Sequence, residues 1–378
     1  MSSTGTRKMM AGDSAPRSRP VTVADESRRM KARRMIVMGL ANVTRPGAAP
    51  ALFLVLVTLV MGVLSPNFVS ISGWYFMVNE SISVALIAIG TTIVLISGGI
   101  DLSIGSMIAL GGALSGSLLL HGVPMVFAFA LVVCVGAGVG VVNGLLIVGL
   151  RLPDFIATLA MLTAVRGVLL IWTHGDPILG YMTGSYSRIG GTTKIAPYLS
   201  VPILVCLGIA VISAVMLQKT TLGRHIHAIG GNREAAVLAG IRVSRVKIVT
   251  YVISGVLAAV SGILLAGYLT EVSPGTNASG YELIAIAAAV MGGASLYGGR
   301  GSVFGACLGA VALTVMTNLL QWWNVDPNLS DVLVGVLILL AIALQRLSIV
   351  VAERRTPSSR VARPRTARTS GGPGVARG

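Results

Sequence analysis

The sequence predicts an all-α membrane protein, a polytopic bundle of about ten transmembrane helices with both termini in the cytoplasm. Three observations lead to this fold class. Hydrophobic residues make up 54% of the chain and charged residues only 11%, whereas a soluble domain carries roughly 25% charge. Apolar runs of membrane-spanning length recur along the chain. Most basic residues lie in three segments between or beyond these runs.

The apolar runs define the predicted helices, because a helix needs about 20 residues to cross some 30 Å of hydrocarbon. The predicted spans are 48–64, 77–97, 103–120, 124–149, 153–173, 201–217, 248–268, 282–296, 302–320 and 331–347. The eighth is the shortest. The chain contains 47 glycines, and small residues of this kind let membrane helices approach one another closely.

The distribution of charge predicts the orientation of the bundle. Residues 1–45, 218–247 and 346–378 together hold 24 of the 29 basic residues and 5 of the 13 acidic ones. A basic excess beside membrane spans marks the cytoplasmic side. If the chain starts inside, six crossings return 218–247 to the cytoplasm and ten return the C-terminal tail. The charge pattern and the span count therefore agree.

These boundaries divide the chain into three parts. Residues 1–45 form a basic cytoplasmic segment, 46–347 the transmembrane domain with the cytoplasmic loop 218–247, and 348–378 a basic tail. Both ends are rich in polar and small residues, which predicts disorder. No small-residue cleavage pattern precedes the first apolar run, so it should remain as a membrane anchor. Charge at membrane borders favours contact with the lipid bilayer and not with nucleic acid, although an arginine-rich tail that binds RNA or headgroups is the alternative.

The familiar catalytic motifs are absent from the sequence. No lysine follows a glycine, so the GxxxxGK[ST] phosphate loop is missing, and neither HExxH nor GxSxG occurs. The three cysteines lie singly in apolar stretches, without the paired spacing of a disulfide or a zinc site. We therefore predict no catalytic residues, no metal and no cofactor, and we expect a transport path.

Two glycine-rich stretches interrupt the apolar pattern. In "ISGGIDLSIGS", residues 96–106, Gly98 and Gly99 should end one helix and Asp101 should begin the next. The Asp101 carboxylate can accept from the NH of Ser103 or the following residue and face the positive helix end. The alternatives to this capping role are that Asp101 contacts a solute or a partner protein at the cytoplasmic edge. In "GGASLYGGRGSVFG", residues 292–305, Gly292 and Gly293 predict a second break.

The third distinctive stretch is "GRHIHAIGGNREAAVLAGIRVSRVK", residues 223–247. Asn232 can cap a short helix from Arg233 to Ala239, Glu234 suits its first turn, and Gly240 can end it. A short helix between two spans can act as a lever, because a partner that moves it also moves both spans. An amphipathic helix on the lipid headgroups is the other interpretation.

Four motifs in the same order resemble the transmembrane permease of sugar-type ATP-binding-cassette importers, the ribose, xylose and galactose permease family. They are "ISGGIDLSIGSMIALGG", "LPDFIATLAMLTAVRGV", "GRHIHAIGGNREAAVLAGI" and "GGASLYGGRGSVFGACLGA", and the likeness extends from about Ser65 to Arg346. The resemblance implies two permeases, ATPase subunits and an extracytoplasmic sugar-binding protein. A homodimer fits this assembly, since one chain offers half of a two-fold path.

The resemblance also assigns a role to the predicted cytoplasmic loop 218–247, which we call the inner loop. The EAAxxxG core of the family's coupling helix, which docks onto the ATPase, is matched by Glu234, Ala235, Ala236 and Gly240. Residues Gly230, Asn232 and Arg233 belong to the same predicted coupling segment. The leucine–proline pair that ends the longer form of the motif is missing, so docking through this loop is better supported than any particular contact.

A sugar path should be lined by neutral hydrogen-bonding groups. The candidates at membrane depth are Ser97, Asp101, Ser103, Asn143, Thr158 and Asn318. Such side chains also bond between helices, which is the structural alternative. Arg166 lies near the middle of its span and should face the bundle interior and pair with carbonyls or a carboxylate; snorkelling or a helix break beside Gly167 are the alternatives. A secondary sugar facilitator independent of ATP is the rival function, and it would not need the EAAxxxG lever.

Overall fold

The computed structural model describes residues 48–65, 67–182, 184–190 and 194–324, and seven single residues between 326 and 339. Two predicted terminal segments, 1–45 and 348–378, and most of the tenth predicted span, 331–347, lie outside the described residues. The remaining nine predicted spans lie within them, and each coincides with a helix whose ends differ by up to six residues from the predicted ones.

The described part consists of twelve helices and one short hairpin. The helices are α1 Ala48–Leu64, α2 Ile71–Ile96, α3 Ile104–Leu120, α4 Met125–Gly149, α5 Asp154–Thr173, α6 Gly184–Ile189, α7 Val201–Lys219, α8 Thr221–Gly231, α9 Arg233–Leu238, α10 Val243–Leu269, α11 Tyr281–Met291 and α12 Val303–Trp322. The antiparallel strands β1 Lys194–Ala196 and β2 Leu199–Ser200 form the hairpin.

Six of these helices, α2, α4, α5, α7, α10 and α12, are long and apolar enough to cross a membrane. Shorter apolar helices occur at Pro50–Leu64, Ile104–Leu120 and Tyr281–Met291. The prediction of a polytopic helical bundle is therefore confirmed at this level.

Helix α10 is the centre of the bundle and packs against α2, α3 and α4. Glycines make these contacts close. A Cβ atom at Gly136 would lie 2.6 Å from the Ala259 side chain, and one at Gly144 would lie 2.8 Å from Ile248 Cα. With no side chain between them, the helix backbones touch, which is the usual way membrane helices associate.

The connections between helices meet at two ends of the bundle. At one end, which we call the break end, lie residues 97–103, 150–153, 220–242 and 292–302. Contacts hold them together: Lys247 at the start of α10 bonds to Gly98, and the Gly299 amide bonds to the Ile96 carbonyl. At the opposite end, Ile178 pairs with Val272, and the Tyr181 hydroxyl donates to the Ala266 carbonyl.

The predicted eighth span, 282–296, is wrong as a complete crossing. Helix α11 has 11 residues, which corresponds to a length of about 16 Å. Gly280 with φ 80° precedes it, and Gly293 with φ 97° follows it, so glycines in the left-handed region limit it at both ends. The non-helical residues 270–280, which we call the re-entrant segment, complete the path from the end of α10.

The re-entrant segment enters the bundle from the end opposite the break end. A Cβ at Gly112 of α3 would touch Val272, whereas a Cβ at Gly105 would lie 3.3 Å from the Ala278 carbonyl oxygen. Gly105 lies seven residues closer to the break end, roughly 10 Å along the helix. Helix α11 therefore begins within the bundle, and its Ala288 packs in one cluster with Ala88 of α2.

A pair of alanine substitutions tests the glycine contacts of α4. We expect Gly140→Ala to lower stability by about 1–3 kcal/mol, the usual cost of overpacking, because its Cβ would lie 2.6 Å from Val252 Cα. Gly138 on the same helix has nothing within 4 Å of that position. The matched Gly138→Ala should leave the thermal stability of the solubilised protein unchanged or raise it, and equal melting of the two variants would contradict the packing.

Candidate functional site

The chain leaves the helical conformation at the end of α2 through a compact turn. The Ser97 hydroxyl donates to the Val94 carbonyl, Gly98 adopts φ 72°, and the Gly98 and Gly99 amides bond to the carbonyls of Leu95 and Val94. A glycine in the left-handed region is the common way to end a helix. The break predicted at Gly98 and Gly99 is confirmed.

Asp101 organises the start of the next helix from a buried position. Its side chain is 1% exposed, and Oδ1 accepts from the Ser103 amide at 3.0 Å and from the Ser103 hydroxyl at 2.6 Å. Asn143 of α4 donates to the Ser103 hydroxyl at 2.8 Å. The amide contact predicted for Asp101 is thus present, but Ser103 occupies the N-cap position of α3. Asp101 shapes the turn and ties it to α4.

A charged cluster that sequence reasoning missed holds the same turn from the other side. Lys247 of α10 forms an ion pair with Asp154 at the start of α5, with Nζ 2.5 Å from Oδ2. Lys247 also donates to the Gly98 carbonyl at 3.3 Å, and the Tyr251 hydroxyl lies 3.0 Å from the same Asp154 oxygen. We call Lys247, Asp154 and Tyr251 the break cluster.

The break cluster satisfies the carbonyls that the helix end leaves free. The Ile100 carbonyl accepts from the hydroxyls of Tyr251 and Thr158, at 3.2 and 3.3 Å. A Cβ at Gly99 would lie 2.6 Å from Asp154 Oδ2, so this close approach requires glycine. Asp154 directly after Pro153 and Lys247 at the start of a span are the sequence signals for the pair, but they are 93 residues apart.

The inner loop reaches both glycine-rich breaks through backbone contacts. A Cβ at Gly230 of α8 would collide with the Ile96 carbonyl oxygen and lie 2.5 Å from the Gly299 nitrogen. The Gly299 amide in turn donates to the Ile96 carbonyl at 2.9 Å. Three separate glycine stretches of the sequence, around residues 98, 230 and 299, therefore converge at the break end.

The short helix predicted after Asn232 is present. The Asn232 side chain accepts from the Ala235 amide at 2.9 Å, Glu234 lies in the first turn, and Gly240 follows the helix with φ 78°. Helix α9 spans Arg233–Leu238, and Ala236 is its buried residue. Arg233, Glu234, Ala235 and the apolar Val237 are exposed, and Leu238 is 90% exposed. Val237 and Leu238 therefore form an exposed apolar tip of α9 at the break end.

The other predicted residues lie apart from the inner loop. Gly292 packs directly on Gly305 of α12, and Gly293 makes the left-handed turn after α11, so the second predicted break is present. The non-helical chain after this break continues to Ser302. Its contact with the inner loop is made by Gly298 and Gly299 and not by the predicted Gly292 and Gly293. Asn318 of α12 donates to Glu80 of α2 at 2.6 Å.

Arg166 of α5 points into the bundle interior. Its Nη1 donates to the carbonyls of Pro274 and Asn277 at 3.0 and 3.1 Å. The predicted pairing with carbonyls is present, and the partners are the irregular backbone of the re-entrant segment.

The predicted path residues divide into two groups. Those around the first break are buried within the chain and bonded to it: Ser97, Asp101, Ser103, Asn143 and Thr158. Asn318 and Arg166 are partly buried at other places in the bundle. No group of three or more His, Cys, Asp or Glu positioned to hold a metal ion occurs among the described residues.

Comparison with known proteins identifies the family. Residues 73–342 match the model described as branched-chain amino acid transport system / permease component. Ribose import permease protein RbsC of Escherichia coli strain K12 is 39% identical over 291 residues, which cover 76% of this chain and 90% of that protein. RbsC of Bacillus subtilis strain 168 is 38% identical over 79% of this chain and 92% of its own length.

A further relative is autoinducer 2 import system permease protein LsrC of Enterobacter sp. strain 638, 37% identical over 76% of this chain and 83% of its own length. No solved structure matches the chain significantly. The family model covers the breaks, the inner loop and the re-entrant segment alike. The chain belongs to the branched-chain amino acid transport system / permease component family.

Proposed function

We propose that the chain is the permease subunit of an ATP-binding-cassette importer that carries a monosaccharide or a similar small polar solute across the cell membrane. The observation that carries this proposal is the contact of the inner loop with both helix breaks through Gly230. The relatives named for the import of ribose and of autoinducer 2 support a sugar-like solute.

The proposed orientation puts the break end in the cytoplasm. The basic loop 218–247 is at this end, and basic residues beside spans are typical of the cytoplasmic side. With spans counted from 48–64 to 331–347, about ten crossings leave both termini inside. In this orientation the re-entrant segment enters from the extracytoplasmic side, where a sugar-binding protein would deliver the solute.

The proposed coupling mechanism begins at α9. A separate ATPase subunit docks on the exposed tip formed by Val237 and Leu238 and on the charged residues Arg233 and Glu234. Motion of α8 then reaches Ile96 and Gly299 directly, because no side chain at Gly230 lies between the backbones. The break cluster extends this connection to α5 through the Asp154–Lys247 ion pair.

A homodimer completes the proposed assembly. Two copies related by a two-fold axis present two inner loops to the ATPase subunits and enclose one path between them. The lipid bilayer is the remaining partner. The secondary facilitator is less well supported, since passive carriage gives no reason for a protruding α9 that is connected to both breaks.

The first prediction that follows from this proposed function separates the importer from the facilitator. Membrane vesicles that hold the chain with its ATPase and binding protein should accumulate labelled ribose only when ATP is present. Without the ATPase, uptake should fall to the level of empty vesicles. ATP-independent uptake by the chain alone would contradict the proposal.

The second prediction concerns the tip of α9. We expect Leu238→Asp to abolish copurification of the ATPase and to leave the permease folded, because Leu238 is exposed and contributes little to the core. Leu150, an exposed leucine at the same end, provides the matched control. Leu150→Asp should retain the ATPase, and retention of the ATPase by Leu238→Asp would exclude the tip as the docking site.

The third prediction concerns the break cluster. Asp154→Asn or Lys247→Met leaves a single charge in a largely buried site, which typically costs about 3–5 kcal/mol for a fully buried pair and less here, where Asp154 is 22% exposed. We expect each variant to melt earlier and to transport less solute per ATP hydrolysed. The exchanged pair, Asp154→Lys with Lys247→Asp, should recover part of this ratio. Wild-type coupling in both single variants would show that the ion pair has no role in coupling.

A further inference from the structure

The re-entrant segment is irregular backbone at a depth where a membrane protein normally has helix. Val272 lies beside Gly112 of α3, and Ala278 lies beside Gly105, near the break end. Helix α3 runs from Ile104 to Leu120, so the segment follows this helix from its middle towards its end nearer the break end. It therefore lies within the thickness of the bundle and not on its outer rim.

One side of this segment is exposed on the single chain. Val272, Pro274 and Ala278 are buried, whereas Gly275, Thr276 and Ser279 are exposed. The exposed residues include two hydroxyl side chains and a backbone that no side chain covers. Lipid cannot bond to the polar groups of irregular backbone, and such segments occur at membrane depth only within protein or along a water-filled cavity.

Helix α5 borders the exposed side. Leu170 lies 3.9 Å from the Cβ position of Gly275, and Arg166 binds the carbonyls of Pro274 and Asn277. Thr163, one turn before Arg166 and on the same face of the helix, is exposed. Thr163, Gly275, Thr276 and Ser279 are thus neutral and exposed on this side of the chain, and we call these four residues the polar wall.

The guanidinium of Arg166 keeps the polar wall in place. Two carbonyls that would otherwise need water accept from its Nη1. A charged side chain at this depth is costly unless it is paired. Arg166 is therefore a positioning residue, and the neutral side chains of the wall are left to face the solute.

We infer that the polar wall is the part of the translocation path that this chain contributes, and that the hydroxyls of Thr276 and Ser279 bond to a neutral polyhydroxylated solute. This inference rests on the proposed function. It replaces the buried group at the first break as the solute contact, because Ser97, Asp101, Ser103, Asn143 and Thr158 bond within the chain and are at most 2% exposed. The second copy of the chain supplies the opposite wall.

Cysteine accessibility tests the wall in the assembled transporter. Cys134, Cys206 and Cys307 are replaced by alanine, and uptake of labelled ribose is verified in this background. Thr276→Cys and Ser279→Cys should then react with a charged, membrane-impermeant thiosulfonate at least about tenfold faster than matched lipid-facing controls, because only a hydrated thiol ionises and reacts readily. Leu207→Cys and Ile212→Cys on α7, both exposed and apolar, are the controls. Saturating ribose with the binding protein should slow the reaction at 276 and 279 only.

Slow reaction at 276 and 279, equal to that of the controls in a variant that still transports ribose, would overturn the inference. Absence of ATP-driven uptake of ribose and of every other monosaccharide tested in the wild-type assembly would instead refute the proposed function. Labelling is measured separately from uptake, so these two failures are distinguishable.

Uptake kinetics provide the second measurement. We expect Thr276→Val and Ser279→Ala each to raise KM for ribose uptake about 3- to 10-fold, the effect of losing one hydrogen bond, with membrane abundance unchanged. Thr317→Val on α12, where the hydroxyl bonds to the Thr314 carbonyl, should leave KM at the wild-type value. Wild-type KM in both wall variants would exclude these hydroxyls as solute contacts.

Discussion

The structure depends on one constraint: a backbone that stops being helical inside a membrane must find new partners for its NH and carbonyl groups. Within the residues that the structure describes, the helices are broken at three places within or at the border of the bundle, and at each place polar side chains supply partners. Tyr251, Thr158 and Lys247 bind the carbonyls after α2, Ser97 and Asp101 complete the same turn, and Arg166 binds two carbonyls of the re-entrant segment.

The same constraint links stability with transport. A charged pair or a buried carboxylate is a weak contributor to stability when compared with apolar packing, so its presence at the breaks needs another explanation. A helix break that is held by a few hydrogen bonds can change between a small number of backbone conformations when those bonds exchange. A continuous helix has no such point and resists bending along its whole length. In the proposed mechanism, the bonds of Lys247, Asp154 and Tyr251 connect α5 and α10 with the turn after α2.

The sequence predicts the helices well and the polar contacts only in part. Apolar runs depend on local composition, and the ends of α1 and α4 agree with the predicted limits to within one residue. The cap at Asn232 is equally local, since its side chain bonds three residues along the chain. The ion pair of Asp154 with Lys247 joins residues 93 positions apart, and no local pattern indicates that contact. The re-entrant segment was missed because the run before Gly292 is apolar enough for a span, and only the positive φ of Gly280 and the contacts with α3 reveal the shorter helix.

The backbone contact of Gly230 with Ile96 and Gly299 also affects which residues of such a permease can change in evolution. Side chains can change rotamer and absorb small displacements of a neighbouring helix. Two peptide groups in direct contact cannot, so a displacement of one moves the other. If α9 is the docking site of the ATPase, as we propose, its exposed residues can change to recognise a different ATPase while Gly230 keeps its backbone contacts. Recognition of the ATPase and transmission of its motion would then depend on separate residues, and each set could change without damaging the other.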